Sequence, residues 1–118
     1  MNAFQQNDNL EALDLTTAKI AIIGGGNIGV ALAVGLAGSN KYKENEIAIT
    51  RRRPKKLEKL INGKFLITSN NALAVSNSTI VVLAVLPQQI NQVLEEIKGV
   101  LNESHLLVSV VSGVSIKN

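Results

Sequence analysis

Apolar runs alternate with segments of helical periodicity along most of the chain. The apolar runs predict strands at residues 19–23, 46–50, 65–68, 79–85 and 106–111. The run at 79–85 is continuously β-branched or apolar, which is typical of a strand buried on both faces of a parallel sheet. Helices are predicted at residues 27–37, 70–75 and 89–97, and a short one begins at Pro54. This alternation predicts right-handed crossovers and a doubly wound, mainly parallel α/β sheet with helices on both faces.

The first predicted strand ends at Ile23 and runs directly into a glycine turn with the spacing Gly-x-Gly-x-x-Gly, at residues 24–29. Gly24 permits a tight reversal, Gly26 lets the backbone approach a pyrophosphate, and Gly29 lets the next helix pack close to the sheet. The first amides of that helix and its positive dipole end then face the phosphates. This context predicts a Rossmann-type dinucleotide site. The alternative is a glycine-rich turn with no ligand.

The second predicted strand ends in a basic run, Thr50-Arg51-Arg52-Arg53. A site that prefers NAD places an Asp or Glu near this position, where the carboxylate binds the adenosine ribose and would repel a 2′-phosphate. Guanidinium groups bind phosphate bidentately and stay charged. Arg51 or Arg52, helped by the Thr50 hydroxyl, is therefore the predicted clamp for the 2′-phosphate of NADP(H), with NAD(H) as the alternative cofactor. Otherwise residues 51–56 form a solvated basic loop, a nuclear-type signal or a nucleic-acid patch.

Composition narrows the remaining functions. The chain has 118 residues, which suits one domain with a real core, and no cysteine, which excludes disulfides, a thiol nucleophile and thiolate metal ligands. Its net charge of +3 owes much to one basic run and aromatic residues make up 3%, so nucleic acid is not an expected partner. No apolar run approaches membrane-spanning length and residues 1–18 lack a signal-peptide pattern. We expect a cytoplasmic protein with a polar N-terminal extension over residues 1–18 and no membrane partner.

Ligands on such a sheet bind outside the carboxyl ends of the strands, which selects the loops that follow them. In these loops Asn71 either binds a cofactor ribose or the ring carboxamide, or caps a helix. Pro87 either holds its loop over the cofactor or starts the next helix. His105 precedes the last strand and is expected to be an exposed loop residue rather than a catalytic base. Glu95 and Glu96 are neighbours on a helix and are interpreted as a solvated face rather than an acid-base pair.

Three segments, read together, carry a family resemblance. They are IAIIGGGNIG at residues 20–29, VLAVLPQ at residues 82–88 and VSVVSGVSI at residues 108–116. In combination they resemble the N-terminal cofactor half of pyrroline-5-carboxylate reductase, and the similarity covers nearly all of the chain after Ala18. The glycine turn is shared by many dehydrogenases, whereas the combination with the two later segments is fairly specific.

The resemblance implies cofactor contacts in three further loops, which extend the set derived from the glycine turn and the basic run. The predicted cofactor-binding residues are Ile23, Gly24, Gly25, Gly26, Asn27, Ile28, Gly29, Thr50, Arg51, Arg52, Asn71, Ala84, Val85, Leu86, Pro87, Val110, Val111 and Ser112. The family usually has Lys where this sequence has Leu86, so a polar side-chain contact is lost there while backbone contacts are expected to remain. No catalytic residue and no metal ligand is predicted.

The resemblance also implies a reaction, the reduction of the cyclic imine of 1-pyrroline-5-carboxylate to proline by hydride transfer from the nicotinamide. In this family the substrate pocket and dimer interface come from a C-terminal helical domain. We therefore expect residues 19–118 to be the Rossmann domain of a truncated chain that binds nucleotide without turnover, and the complete protein to be a homo-oligomer. Two alternatives stay open: another reductase with the same N-terminal half, such as an F420-dependent NADP oxidoreductase, and a stand-alone nucleotide-sensing or scaffold module.

Overall fold

A computed structural model describes residues 14–53 and 63–110 of the chain. These residues form five strands and three α-helices. In chain order the elements are β1 (Ile20–Ile23), α1 (Asn27–Gly38), β2 (Ile47–Thr50), β3 (Leu66–Thr68), α2 (Asn71–Ser76), β4 (Ile80–Leu83), α3 (Ile90–Ile97) and β5 (Leu106–Ser109). Short 3-10 turns at Glu44–Glu46 and Pro87–Gln89 lead into β2 and α3.

The five strands form one sheet in the order β3-β2-β1-β4-β5, and every pair is parallel. The chain builds outward from β1 through β2 to β3, then returns to the other side of β1 for β4 and β5. Ile23, at the end of β1, stands opposite Thr50 of β2 and Leu83 of β4. The carboxyl ends of the three central strands therefore lie level, beside the point where the strand order reverses. This arrangement confirms the predicted doubly wound, Rossmann-type α/β fold.

Each face of the sheet carries its own apolar core, because successive strand residues point to opposite faces. Ile22 packs with Ala33 of α1 on one face, and its neighbour Ile23 packs with Val75 of α2 and Val93 of α3 on the other. Ile22 and Ile23 are both buried, at 0% and 1% exposure. The helices thus cover both faces, and this explains why the central strands read as unbroken apolar runs rather than alternating ones.

Several predicted boundaries shift. The fourth strand ends at Leu83 rather than Val85, although the Ala84 amide still donates a hydrogen bond to the Ile23 carbonyl of β1 at 2.8 Å. The fifth strand ends at Ser109 and is exposed along its length, since it lies at the edge of the sheet formed by the described residues. The helix predicted to begin at Pro54 lies outside the described residues.

The packed domain begins before residue 19. Leu15 and Ala18 are only 3% and 6% exposed and belong to the core beneath α2 and α3. The Thr17 hydroxyl also donates a hydrogen bond to the Asn45 carbonyl at 2.5 Å. Residues 14–18 are therefore not a free polar extension, because two of their side chains complete the core. Residues 1–13 lie outside the described part of the chain.

Candidate dinucleotide site

A pocket of about 810 Å³ lies at the carboxyl ends of the central strands, a size that suits a nucleotide cofactor. It lies at the reversal of strand order, where doubly wound sheets bind their ligands. Among the predicted cofactor-binding residues, those that line it are Ile23, Gly24, Gly25, Gly26, Asn27, Ile28, Thr50, Arg51, Arg52, Asn71, Ala84, Val85 and Leu86. Tertiary structure thus brings four separate segments of the sequence to one cavity.

The three motif glycines occupy three different environments. Gly24 has a φ of +106°, and a Cβ on it would stand 2.6 Å from the Ala84 carbonyl oxygen and 2.7 Å from a methyl of Val85. A Cβ on Gly29 would collide with the Gly24 carbonyl oxygen. A Cβ on Gly26, in contrast, would meet nothing within 4 Å. The first and third glycines are thus required by the fold itself, while the second leaves open space facing the pocket.

The N-terminus of α1 opens onto that space. Its N-cap is Gly26, which offers no side-chain acceptor, and the first turn contains no acidic residue. The first amides of a helix have no partner within the helix, and Asn27 and Ile28 are exposed at the pocket wall. Uncapped amides and the positive end of the helix dipole together favour an anion such as a pyrophosphate.

Thr50 lies in the floor of the pocket and is only 2% exposed. Its hydroxyl accepts a hydrogen bond from the Gly24 amide at 3.3 Å, and its carbonyl accepts from the same amide at 3.2 Å. The Thr50 side chain therefore holds the start of the glycine turn against β2. The hydroxyl hydrogen stays available to a ligand, so the expectation that Thr50 helps to clamp a phosphate stays a prediction.

Arg51 reaches over the glycine turn from the end of β2. One of its guanidinium nitrogens, Nη1, donates a hydrogen bond to the Gly25 carbonyl at 3.1 Å, and its backbone amide donates to the Thr68 carbonyl of β3 at 3.1 Å. Arg51 is half-buried, whereas Arg52 is exposed at the pocket rim. Arg53 is exposed and does not line the pocket. Two of the three arginines thus line the pocket at the end of β2, and the 2′-phosphate clamp stays a prediction.

Asn70 and Asn71 divide two roles between them. The Asn70 side chain is the N-cap of α2 and accepts a hydrogen bond from the Leu73 amide at 3.0 Å. Asn71 is the first residue of that helix, and its Nδ2 donates to the Glu96 carboxylate at 2.6 Å. Asn70 is therefore the helix cap, and the Asn71 side chain lies at the pocket.

The loop after β4 is held by a side chain from the next turn. Gln89 Oε1 accepts a hydrogen bond from the Leu86 amide at 3.0 Å, and the Leu86 side chain stays 48% exposed beside the pocket. Pro87 starts the 3-10 turn that leads into α3 and does not line the pocket, which corresponds to the helix-start interpretation.

Two other predicted site residues, Gly29 and Val110, do not line the pocket. Gly29 lies beneath the turn, and Val110 is joined to β4 through its amide, which donates to the Leu83 carbonyl at 2.9 Å. Val111 and Ser112 lie outside the described residues.

One face of α3 also borders the pocket, which the sequence interpretation missed. The additional lining residues are Ser69, Gln89, Gln92, Val93 and Glu96. Four of them, at 89, 92, 93 and 96, follow the spacing that puts residues on one side of a helix. The same spacing is present in the sequence, but the apolar residues of this helix indicated only the side that faces the core. Glu96 is therefore not simply part of a solvated face, whereas its neighbour Glu95 pairs with Lys98 at 3.0 Å, away from the pocket.

His105 has a structural role at the amino ends of the strands, opposite the pocket. Its Nδ1 accepts a hydrogen bond from the Asn102 amide at 3.1 Å, so Nε2 carries the proton and donates to the Val75 carbonyl at 3.0 Å. The side chain is half-buried rather than exposed as expected, because it ties the start of β5 to α2.

Two further searches cover residues 14–53 and 63–110. No group of three or more His, Cys, Asp or Glu in these ranges could hold a metal ion. None of the helices in the same ranges is long and apolar enough to cross a membrane.

Comparison with known proteins identifies the family. The family model described as NADP oxidoreductase, coenzyme F420-dependent, matches residues 19–113. The chain belongs to this family. Among curated relatives, it is 43% identical over 107 residues to pyrroline-5-carboxylate reductase 2 of Dictyostelium discoideum, covering 89% of this chain and 36% of that protein. It is 39% identical over 99 residues to reductase 1 of the same organism, covering 84% of this chain and 18% of that protein. The chain thus spans about a third or less of these relatives' length.

Solved structures lead to the same group of proteins. A pyrroline-5-carboxylate reductase from Coxiella burnetii matches with a TM-score of 0.70 and 36% identity, covering 86% of this chain and 38% of that one. The Plasmodium falciparum pyrroline carboxylate reductase, solved with NADP bound, matches with a TM-score of 0.69 and 31% identity, covering 85% of this chain and 36% of that one.

Proposed function

We propose that this chain is the NADP(H)-binding part of a pyrroline-5-carboxylate reductase. In the complete protein, hydride transfer to the cyclic imine of 1-pyrroline-5-carboxylate yields L-proline. The observation that carries the proposal is the meeting of the glycine turn, the uncapped start of α1 and the Arg51 guanidinium in one pocket. Similarity to several pyrroline-5-carboxylate reductases supports the choice of reaction.

Different residues of the pocket suit different parts of the cofactor. The amides at the start of α1 and the open space at Gly26 suit the pyrophosphate. Arg51, with Arg52 at the rim, suits the 2′-phosphate, because a guanidinium can offer two donors to one phosphate. The loop from Ala84 to Leu86 lies on the β4 side of the turn and suits the nicotinamide half. Contacts by Val110, Val111 and Ser112 stay predictions.

A bound nicotinamide supplies the hydride, so the part of this chain is to bind and orient the cofactor. The carbon that donates the hydride must lie within contact distance of the imine carbon, which requires both halves of the cofactor to be fixed. We assign the substrate-binding groups to a C-terminal helical domain of the complete protein, as the resemblance to pyrroline-5-carboxylate reductase implies.

Cofactor binding is tested by calorimetric titration of the 118-residue chain with NADPH and, separately, with NADH. We expect NADPH to bind more tightly, since only its 2′-phosphate can use the arginines. Equal affinity for both nucleotides would contradict the arginine clamp, and no binding of either would contradict the cofactor site itself.

The reaction is tested on protein made from the complete reading frame that contains these residues. We expect oxidation of NADPH that depends on added 1-pyrroline-5-carboxylate and forms proline in equal amount. NADPH binding without any such turnover would retain the cofactor site and reject the reductase.

A second candidate is an oxidoreductase that couples NADP to coenzyme F420, and the description of the matching family model favours it. The two candidates differ in the second substrate. If the second candidate is right, the complete protein would oxidise NADPH to reduce coenzyme F420 and would leave 1-pyrroline-5-carboxylate unchanged.

We also propose that the complete protein is a homo-oligomer in the cytoplasm. The support for this assembly is the resemblance to pyrroline-5-carboxylate reductase, which implies a dimer interface in a C-terminal helical domain. Sedimentation of the complete protein tests the assembly, and cell fractionation tests the location.

A further inference from the structure

The side chains of Asn71 and Glu96 meet at the pocket, although they come from different helices. Asn71 begins α2, and Glu96 lies in the last turn of α3, 25 residues further along the chain. The Asn71 Nδ2 donates to Glu96 Oε1 at 2.6 Å, which is short for such a pair and typical of a charged acceptor. Both residues line the cavity.

This contact fixes which way the Asn71 amide points. An ionised carboxylate can only accept hydrogen bonds, so Glu96 selects the Nδ2 side of the amide. Rotating the amide by half a turn would place its carbonyl oxygen against the carboxylate, and two acceptors repel each other. The Asn71 Oδ1 is therefore the free acceptor of the side chain, and it can bind a donor group of a ligand. The second hydrogen of Nδ2 is the other group that this side chain can offer.

The charges of the pocket indicate where that donor lies. Arg51 and Arg52 mark the side of the pocket that favours phosphate. Asn71 follows β3, the neighbour of β2, and β2 carries Arg51 at its end. The adenosine half of the cofactor therefore lies nearest to Asn71. In NADP(H) the 2′-oxygen of that ribose is phosphorylated, which leaves the 3′-hydroxyl as the ribose donor.

We propose that Glu96 is a positioning residue for the adenosine ribose of NADP(H). It holds Asn71 so that Oδ1 accepts a hydrogen bond from the 3′-hydroxyl. This inference rests on the proposed function, because it requires NADP(H) in the pocket. It assigns a role to an acidic side chain that by its charge alone would disfavour a polyphosphate ligand.

A double-mutant cycle on the 118-residue chain tests the inference, with NADPH affinity as the readout. Glu96→Ala removes the support of Asn71, and we expect NADPH to bind about three- to tenfold more weakly, the loss typical of one hydrogen bond. Glu96→Gln keeps an acceptor for Asn71 Nδ2 but can also donate to Asn71 Oδ1, so its loss of NADPH affinity should be smaller than that of Glu96→Ala. In an Asn71→Ala background, Glu96→Ala should have no further effect, since nothing is left to position.

The matched control is Glu95→Gln, which makes the same chemical change one residue away on a side chain that is 71% exposed and paired with Lys98. Its NADPH affinity should equal that of the parent. Circular dichroism melts of every variant show that the fold is kept. A tighter NADPH complex with both Glu96→Gln and Glu96→Ala, also in the Asn71→Ala background, would mean that Glu96 acts only as a repelling charge, and would overturn the inference.

A smaller probe identifies the half of the cofactor. Adenosine 2′,5′-bisphosphate contains the phosphorylated ribose and lacks the nicotinamide, and its affinity should fall by the same factor as that of NADPH in Glu96→Ala. A loss with NADPH alone would overturn the ribose assignment. If the parent chain binds NADPH and Glu96→Ala binds it equally well, the inference fails and the proposed function stands. If the parent chain binds neither nucleotide, the proposed function itself fails.

Discussion

The guanidinium of Arg51 donates a hydrogen bond to the carbonyl oxygen of Gly25 at 3.1 Å. The arginine proposed to bind the 2′-phosphate is thereby anchored on the turn proposed to bind the pyrophosphate. One nitrogen holds the turn, and the remaining guanidinium donors can serve a ligand. The two halves of the predicted NADP(H) signal are therefore one physical unit, joined across the end of β1 and β2.

Arg51→Ala should weaken NADPH binding by about ten- to a hundredfold, because a hydrogen-bonded charge pair with phosphate is lost. NADH should lose much less, since it has no 2′-phosphate. Calorimetric titration of both nucleotides measures the difference. Arg53→Ala is the matched control, because Arg53 is exposed and does not line the pocket. A loss of equal size for NADPH and NADH would show that Arg51 acts through the turn and not through the phosphate.

The first and second motif glycines should separate stability from binding. Gly24→Ala forces a side chain into a positive φ and against the Ala84 carbonyl, and we expect a loss of about 2–4 kcal/mol in the free energy of unfolding. Gly26→Ala meets no atom within 4 Å and should leave stability nearly unchanged. Its methyl group would nevertheless occupy the approach to the pyrophosphate, so NADPH affinity should fall.

Urea unfolding and NADPH titration of the two glycine variants measure these effects. Equal destabilisation by both substitutions would contradict the environments described for the turn. Unchanged NADPH affinity in Gly26→Ala would place the pyrophosphate elsewhere.

The helix cap at Asn70 should matter for stability and not for the cofactor. Asn70→Ala removes the acceptor for the Leu73 amide, and such a loss costs about 1 kcal/mol. Asn71→Ala, one residue later, leaves the cap intact and should weaken NADPH binding instead. Thermal melts and titrations on both variants test this division. The opposite pattern would return Asn71 to the role of a cap.

Acid should destabilise the domain partly through Glu46. The Lys43 amide donates to its carboxylate at 2.9 Å and the Lys19 ammonium lies 3.0 Å away, and these contacts hold the pKa of Glu46 below its usual value of 4.5. A carboxyl group whose pKa is lower in the folded state stabilises above its unfolded pKa. That contribution is lost as the pH falls through the folded value. The melting temperature should therefore decrease from about pH 5 downward.

Glu46→Gln should make this acid-induced decrease shallower, as measured by melts over a pH series. The decrease should not vanish, because the Thr16 hydroxyl and amide also lower the pKa of Asp14. An identical pH profile for Glu46→Gln and the parent chain would contradict the role of Glu46.

The sequence by itself determined the order of the elements and the place of the turn. An apolar strand followed by Gly24, Gly26 and Gly29 has few physical solutions, because a positive φ and two close backbone approaches exclude other residues at two of these positions. Unbroken apolar strands likewise required helices on both faces. Both properties are local or periodic, and so they can be read along the chain.

Only the tertiary structure decided which partners the side chains at the pocket contact. The Thr50 hydroxyl accepts a hydrogen bond from Gly24, and the Asn71 side chain contacts Glu96 of another helix. These pairs are 26 and 25 residues apart, and no local pattern connects them. They depend on the crossing of α2 and α3 and on strand register, which are set by packing of the two apolar cores. For that physical reason the kind of site was predictable, and the division of work within it was not.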